Sequence, residues 1–235
     1  MKKLRATTDN GSVKRKLEAI TWQRMGERLA GHLDGSRGEG GSGAWQRVGI
    51  DGAPAADTGL LAGRLADALR LRGRSVLVVA AGGFLRPASL RFEFGREDVD
   101  AYLGGWYDTG ALWREVFGPT DPGGSGRVLP DLWDPVTDRA TRSPYVELPA
   151  GGVLIVHGPL LLGHWFPFDL SVHISLSAGA LERRTEEGER WTLPAFARYG
   201  RETEPVAVAD VLVRADDVRH PAWSGCPGPG RAGMG

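Results

Sequence analysis

The stretch that most constrains the fold is RVGIDGAPAADTGLLAGRLADAL, residues 47–69. Val48 and Ile50 indicate a short strand, and a turn of small residues with one proline follows it. From Asp57 onward, leucines and alanines recur at helical spacing. Asp57 is expected to cap this helix, because its carboxylate can accept hydrogen bonds from the first free N–H groups. The stretch therefore predicts a strand, a tight turn and a helix.

A second strand is expected directly after this helix, which Gly73 should end. SVLVVA, residues 75–80, is an apolar run bounded by turns, as is typical of a strand buried on both faces of a parallel sheet. The alternation continues with strands expected at 152–157, 169–176 and 209–214 and helices at 97–117, 178–189 and 193–202. Strands that alternate with helices predict an α/β fold, with a parallel sheet and helices on both of its faces.

The remaining segments are interpreted from their composition. Residues 1–16 are basic and predict a disordered arm, with a nucleic-acid-binding arm as the less favoured alternative. Residues 17–34 predict a leading helix, and residues 35–44 predict a flexible linker rich in glycine. The main domain is expected over 45–221, with loops or a small hairpin inside it at 120–149. Residues 222–235 predict a disordered Gly/Pro tail.

Charge and composition exclude several classes of protein. The 235-residue chain carries 29 acidic and 29 basic residues, and this balance argues against nucleic acid or an anionic membrane as an obligatory partner. Cys226 is the single cysteine, so no disulfide framework is possible. No apolar run approaches the ~18–20 residues of a membrane span, and no apolar signal-peptide core is present. We expect a cytoplasmic protein.

The turn has the place and shape of a phosphate-binding loop but lacks the side chains of one. The pattern G-x-x-x-x-G-K-[ST] uses its lysine to reach phosphates and its hydroxyl to hold Mg²⁺. Aligned from Gly52, this chain has Asp57 at the second glycine, Thr58 at the lysine and Gly59 at the hydroxyl. Small residues at a helix N-terminus still favour an anion, although the Asp57 carboxylate opposes one. Two interpretations stay open, a purely structural turn and residual nucleotide binding by Gly52, Ala53, Pro54, Ala55, Ala56, Asp57, Thr58 and Gly59.

The ends of the next strands also lack carboxylates. Phosphoryl transfer needs a group that orients the nucleophile and groups that hold Mg²⁺. The second strand leads to Gly82 and Gly83, and the third ends at His157. An imidazole cannot replace an anionic Mg²⁺ ligand, and His157 is more simply interpreted as a hydrogen-bonded residue that closes a strand. No metal site is expected, because the histidines show no metal-ligand spacing.

Arginines could supply positive charge in place of the missing lysine. Arg86 lies in the loop after the second strand, and Arg183 and Arg184 lie on a late helix. Asp134 and Arg139 are the favoured pair, because two opposite charges in a loop insertion suggest a polar pocket. A solvated or structural role is the alternative for each of these residues.

With these segments in place, the chain resembles the uridine kinase-like P-loop proteins of actinomycete type. The resemblance covers roughly residues 17–221. It lies in VGIDGAPAADTGLLAGRLADAL, GGFLRPASLR, YDTGALWREVFGPTDPGGSGR, LWDPVTDRATR, VLIVHGPLLL and ADVLVRADDVRHP. The resemblance implies a three-layer P-loop NTPase-like fold with five parallel strands in the order 2-3-1-4-5. It also implies ATP with Mg²⁺ at the turn and transfer to the 5′-hydroxyl of uridine or a related small molecule.

The resemblance assigns functional positions to this chain. The nucleotide side would use the turn from Gly52 with Arg183 and Arg184, and the substrate side would use Phe84, Arg86, Asp134, Asp138 and Arg139. Tyr107 is a further substrate-side candidate, because its ring could add a stacking face. The departures fall on catalysis: Thr58 replaces the lysine, Gly59 the hydroxyl, Gly83 the general-base aspartate and His157 the third-strand carboxylate. Loss of one electrostatic donor alone costs about 3 kcal/mol of transition-state stabilisation.

Three hypotheses follow. The first is a uridine kinase-like protein that has lost or severely weakened phosphotransfer and binds a nucleoside, a nucleotide or another small anion. The second is an active small-molecule kinase in which arginines replace the lysine. The third is a protein-interaction module that uses the leading helix and the basic arm.

Overall fold

A computed structural model describes residues 15–36 and 44–227. The basic arm up to residue 14, the linker residues 37–43 and the tail residues 228–235 lie outside the described residues, so the predictions for them are not tested. The strands are β1 (Glu18–Ala19), β2 (Gln46–Asp51), β3 (Val76–Ala80), β4 (Arg127–Val128), β5 (Trp133–Asp134), β6 (Arg139–Ala140), β7 (Val146–Glu147), β8 (Val153–Gly158), β9 (Leu170–Ser175), β10 (Val211–Arg214) and β11 (Ala222–Trp223).

The helices alternate with these strands. They are α1 (Trp22–Gly35), α2 (Thr58–Arg70), α3 (Ala88–Arg91), α4 (Val99–Gly105), α5 (Thr109–Leu112), α6 (Ala178–Arg184), α7 (Leu193–Glu202) and α8 (Pro205–Val208). Short 3₁₀ segments cover Pro54–Ala56, Ala81–Phe84, Gly118–Thr120 and Glu187–Thr192, and a π-helical turn covers Trp113–Phe117. None of the described helices is both long and apolar enough to cross a membrane.

The main sheet is mixed and has seven strands, in the order β1-β11-β10-β9-β2-β8-β3. Neighbours from β10 to β3 pair in parallel, whereas β11 pairs antiparallel with both β1 and β10. The predicted sheet of five parallel strands therefore lacks two short strands at one edge, β11 and β1, which join the sheet through antiparallel pairing. The predicted disordered tail is wrong for its first residues, because Trp223 is buried in the core and β11 extends the sheet.

Two apolar clusters cover the faces of this sheet. On one face, α1 and α2 pack against alternate residues of β2, β8 and β9. On the other face, α5, the π-helical turn and the loop after β8 surround Leu154 and Val156. A smaller cluster joins α4, α7 and the loop after β8. The resulting helix–sheet–helix arrangement agrees with the predicted α/β class and its helices on both faces.

The leading helix is part of this core. It begins at Trp22, later than predicted, with the Thr21 hydroxyl accepting a hydrogen bond from Arg24 N. Met25, Leu29 and Leu33 are fully or almost fully buried against α2. An apolar face buried in its own core cannot also serve as a docking face, so the structure argues against the interaction module in the form predicted.

The expected loops or small hairpin at 120–149 consist of two short antiparallel ladders. β4 pairs with β7, and β5 pairs with β6. Leu132 N donates a hydrogen bond to Gly83 O at 2.8 Å, which fixes this insertion against the segment that follows β3. The insertion therefore lies at the carboxyl end of the parallel strands, where ligands bind in open α/β sheets.

Candidate functional site

The turn after β2 has a compact backbone. Residues 54–56 form one 3₁₀ turn, and Asp57 takes a left-handed conformation at φ +50°. The prediction that Asp57 caps α2 is confirmed, because its Oδ1 accepts a hydrogen bond from Leu60 N at 3.2 Å. An aspartate tolerates this conformation better than most residues, so the turn keeps its shape without a glycine at this position.

Several N–H groups of this turn already have partners. Gly52 N donates to Gly158 O, Ala56 N to Ala53 O and Asp57 N to Pro54 O, at 2.8–3.2 Å. Pro54 has no N–H to offer. A phosphate cradle depends on backbone N–H groups that point at the ligand, and these internal bonds leave fewer of them. Together with the Asp57 carboxylate, they make the turn a poor anion site.

A neutral pair stands where the resemblance places the lysine and the third-strand carboxylate. Thr58 Oγ1 and His157 Nδ1 share a hydrogen bond of 3.1 Å. Burial lowers the pKa of His157, and the nearby Asp57 carboxylate only partly opposes that effect. Mg²⁺ prefers oxygen ligands in octahedral geometry, but Gly59 has no hydroxyl and the Thr58 hydroxyl is bonded to His157. These residues do not fit Mg²⁺–ATP. Among the described residues, no group of three or more His, Cys, Asp or Glu could hold a metal ion.

Immediately before the turn, Asp51 anchors a buried polar network. The residue is completely buried, its Oδ2 lies 2.7 Å from His173 Nδ1, and its Oδ1 accepts a hydrogen bond from Leu161 N at 2.9 Å. Tyr199 extends the network, since its hydroxyl accepts from Leu162 N at 3.0 Å and donates to Leu162 O at 3.2 Å. Burial, with a smaller contribution from Asp51, raises the pKa of Tyr199. The network fastens the loop after β8 to β2, β9 and α7.

A cleft of about 460 Å³ opens beside this loop. Its floor includes Leu160, Leu162 and Tyr199, while Arg198 contacts Asp100 and Glu202 on its rim. The cleft is further lined by Leu103, Gly104, Gly163, His164 and Thr203. Burial lowers the pKa of His164. The nearby Asp51 carboxylate and a backbone hydrogen bond with Leu160 partly offset this lowering. Apolar side chains form the floor of the cleft, and charged and polar side chains form its rim.

The predicted substrate residues of the second-strand loop have structural partners. Phe84 is fully buried. Arg86 N donates to Trp106 O, and Arg86 O accepts from Arg91 Nε, both at 2.8 Å. Tyr107 pairs with Leu85 in an isolated antiparallel β-bridge, and burial raises the pKa of the Tyr107 hydroxyl. These contacts fix the loop, and a role of Phe84, Arg86 and Tyr107 in substrate binding stays a prediction.

Asp134, Asp138 and Arg139 lie in the β5–β6 hairpin. Asp134 accepts hydrogen bonds from Thr137 Oγ1 at 2.6 Å and Val136 N at 2.9 Å, which lower its pKa. Asp138 accepts from Trp133 Nε1 and Ala88 N, with the same effect on its pKa. Asp134 and Arg139 are direct cross-strand partners in the β5–β6 pair. Within the described part of the chain, however, their side chains form no ion pair. Both carboxylates hold the hairpin together, and their predicted role in substrate binding is not tested.

The two late arginines lie on a helix next to the turn. Helix α6 contacts the 54–56 segment. Arg184 Nη2 donates to Asp216 O at 2.7 Å, and Arg183 is exposed. Their predicted role in nucleotide binding stays a prediction.

Sequence reasoning missed Asp51, His173 and Tyr199. A weak signal was present in β9, where Ser171 and His173 alternate with apolar residues. That alternation places both polar side chains on the same face of the strand, where both are buried. The pairing of Asp51 with His173 depends on which strands are neighbours, and only the register of β2 on β9 supplies that information.

Comparison with known proteins supports the kinase-like fold. No protein-family model matches the sequence, and no curated protein matches it. Among solved structures, the chain is similar to a possible uridine kinase from Bacillus stearothermophilus, with a TM-score of 0.62 and 21% identity over 80% of this chain and 98% of that one. A putative fructose transport system kinase from Silicibacter gives a TM-score of 0.57 and 22% identity, over 81% and 95% of the two chains.

A third similar structure is D-glycerate 3-kinase from Cryptococcus neoformans, with a TM-score of 0.51 and 15% identity, over 78% of this chain and 80% of that one. The chain shares its fold with these solved kinases. At these identities the likeness establishes the fold alone.

Proposed function

We propose that this protein binds a nucleoside, a nucleotide or a related small molecule, and that its phosphotransfer is lost or severely weakened. The observation that carries the proposal is the hydrogen bond of 3.1 Å between Thr58 and His157. Two neutral side chains, satisfied by each other, stand where transfer needs a cation and a carboxylate. ATP and Mg²⁺ would bind weakly at this turn.

The ligand side of the same sheet edge supports retained binding. The Asp51 network fixes the loop after β8, and the cleft beside that loop has an apolar floor and polar walls. A buried polar network is costly unless every member is satisfied, so its presence favours a precisely held ligand site. Because one similar structure is a possible uridine kinase, uridine is the first ligand to test.

Isothermal titration calorimetry tests the proposal. Uridine, UMP and ATP with Mg²⁺ are each titrated into the full chain. The expected result is measurable binding of a nucleoside or nucleotide and weak or no binding of Mg²⁺–ATP. A wild-type protein that binds none of the three would contradict the proposal.

A restored turn provides the matched comparison. The variant Asp57→Gly/Thr58→Lys/Gly59→Ser supplies the glycine, lysine and hydroxyl of the phosphate-binding pattern and should bind Mg²⁺–ATP more tightly than wild type. A side chain fits at position 59, since a Cβ at Gly59 would lie 3.4 Å from His157 Cε1. Thr58→Val is the control, because it removes the same hydrogen bond without adding charge.

The second candidate function is an active small-molecule kinase in which an arginine replaces the lysine. The contact of α6 with the 54–56 turn favours it, because Arg183 lies exposed on that helix. This candidate predicts tight binding of Mg²⁺–ATP that Arg183→Ala weakens. Calorimetry that detects no Mg²⁺–ATP binding to wild type excludes it.

A further inference from the structure

One ion pair joins two walls of the cleft beside the loop after β8. Arg198, on α7, contacts Asp100, on α4, and it also pairs with Glu202 one turn further along its own helix. Both helices line the cleft. The Arg198–Asp100 pair therefore crosses from one wall to the other, whereas the Arg198–Glu202 pair stays within one wall.

The walls themselves are held by buried contacts that do not involve this pair. Tyr102 of α4 is buried, and three aromatic rings meet its ring edge-on. They belong to Trp106, Trp191 and Phe196. Tyr199 of α7 is buried as well, and its hydroxyl bonds to the backbone of Leu162 on the floor. Arg198 can therefore change partners at the rim without movement of either helix.

The pair at the rim is exposed, in contrast to these anchors. The Asp100 side chain is 81% exposed and the Arg198 side chain 42%. Exposed ion pairs are weak, because both charges keep much of their hydration and salt screens their attraction. Glu202 Oε1 lies 2.8 Å from Arg198 Nε, so the guanidinium keeps one partner when it leaves Asp100. The crossing pair can thus open and close while the cleft keeps its shape.

We infer that the Arg198–Asp100 ion pair is a gate that controls access to the floor of the cleft. When Arg198 contacts Asp100, its side chain spans the rim from α7 to α4. When it pairs with Glu202 alone, the rim is open. The inference rests on the proposed function for the identity of the ligand, but access to the floor is measurable without any ligand. Because the gate is an exposed ion pair, salt should open it.

A cysteine on the floor measures this access. The reporter is Leu162→Cys in a full chain that also carries Cys226→Ser, and the probe is iodoacetamide, which is uncharged and is not steered by salt. Rates measured over a range of pH give the rate constant of the thiolate, so that a shifted thiol pKa does not imitate opening. Leu103→Cys, which also lines the cleft, replaces Leu162→Cys if that variant does not fold.

The labelling rate should rise with ionic strength. Between about 0.01 M and about 0.5 M salt, the thiolate rate constant should increase about two- to fivefold, the range that corresponds to an exposed ion pair. A rate constant that does not depend on salt would overturn the gate.

Two variants give a matched comparison, because each removes one carboxylate from the same guanidinium. Asp100→Asn breaks the pair that crosses the cleft, so at low salt it should raise the rate constant about two- to fivefold and abolish the salt effect. Glu202→Gln keeps the crossing pair and should leave both the slow rate and the salt effect in place. Equal rate constants for the two variants would overturn the gate, whether both rise or neither does.

Binding of uridine separates a gate from a binding residue. A gate that closes over the empty and the occupied cleft alike sets the rates of entry and exit together, whereas a binding residue changes the affinity. In stopped-flow measurements of intrinsic fluorescence, Asp100→Asn should therefore speed association and dissociation by the same factor, with the calorimetric Kd unchanged. A raised Kd with an unchanged association rate would overturn the gate.

The outcomes separate this inference from the proposed function. If labelling responds to salt and to Asp100→Asn as expected, but wild type binds neither uridine, UMP nor ATP, the gate stands and the proposed function fails. If wild type binds uridine, but labelling does not distinguish Asp100→Asn from Glu202→Gln, the gate is overturned and the proposed function stands.

Discussion

The turn at 52–59 and the loop at 160–164 both adjoin the end of β2, and their polar groups are arranged differently. In the turn, a left-handed Asp57 and the neutral Thr58–His157 pair take the positions of charge. In the loop, the fully buried Asp51 and the buried Tyr199 hydroxyl hold consecutive backbone N–H groups. The turn has the shape of a phosphate-binding loop without its charged side chains, whereas the loop is held by a buried carboxylate with its partners. This difference is the basis of our proposal that the protein binds a small molecule without transferring phosphate to it.

The largest effect is expected from breaking the Asp51 network. Asp51→Ala leaves His173 Nδ1 and Leu161 N without their acceptor in the core, and removing one partner of a buried pair costs about 3–5 kcal/mol. Urea denaturation measures the free energy of unfolding. The control is Asp67→Ala, whose side chain is 63% exposed and pairs with Arg70 on the surface, and it should change stability by only about 0.5 kcal/mol. Similar losses in the two variants would contradict the network.

A smaller loss of stability is expected from a substitution at the contact between α1 and α2, the helix that follows the turn. Gly26→Ala would place a Cβ 2.8 Å from the backbone carbonyl of Arg64, whereas a Cβ at Gly31 meets nothing within 4 Å. Gly26→Ala should destabilise by about 1–3 kcal/mol, and Gly31→Ala should stabilise by about 1 kcal/mol through helix propensity. The same denaturation experiment checks both, and a stabilised Gly26→Ala would show that α1 does not pack as described.

Tyr199→Phe removes only the hydroxyl that holds Leu162. The buried Leu162 N loses its partner, which should cost about 1–2 kcal/mol. Tyr145→Phe is the matched control, because the Tyr145 hydroxyl bonds to Glu115 at an exposed site. If both variants lost the same stability, the loop would not depend on Tyr199.

The smallest effect is a pH dependence on the turn side. Because burial lowers the pKa of His157, the unfolded chain binds more protons than the folded one below the ordinary value of about 6.5. Stability from this residue is therefore complete above that pH and is lost as the pH falls toward the lowered pKa. Unfolding free energies between pH 5 and 8 should fall on acidification, and His157→Asn should reduce the slope. An unchanged slope in that variant would exclude His157 as a source.

The residues themselves explain which parts could be predicted. The β–α–β unit around the turn and the Asp57 cap follow from local periodicity and hydrogen bonding, which neighbouring residues determine. The antiparallel edge could not be predicted in the same way, because β1 and β11 have two residues each and pair across some 200 positions. The Asp51–His173 pair depends on strand register and the Arg198–Asp100 pair on the packing of distant helices, so neither has a local pattern.

The central claim is tested most directly by transfer of radiolabelled γ-phosphate from ATP to uridine, with Mg²⁺ and both substrates in excess. The account predicts no product above the background of a reaction without protein. Turnover in the ordinary range of kinases, about 1–100 per second, would contradict it and show that the Thr58–His157 pair does not prevent catalysis.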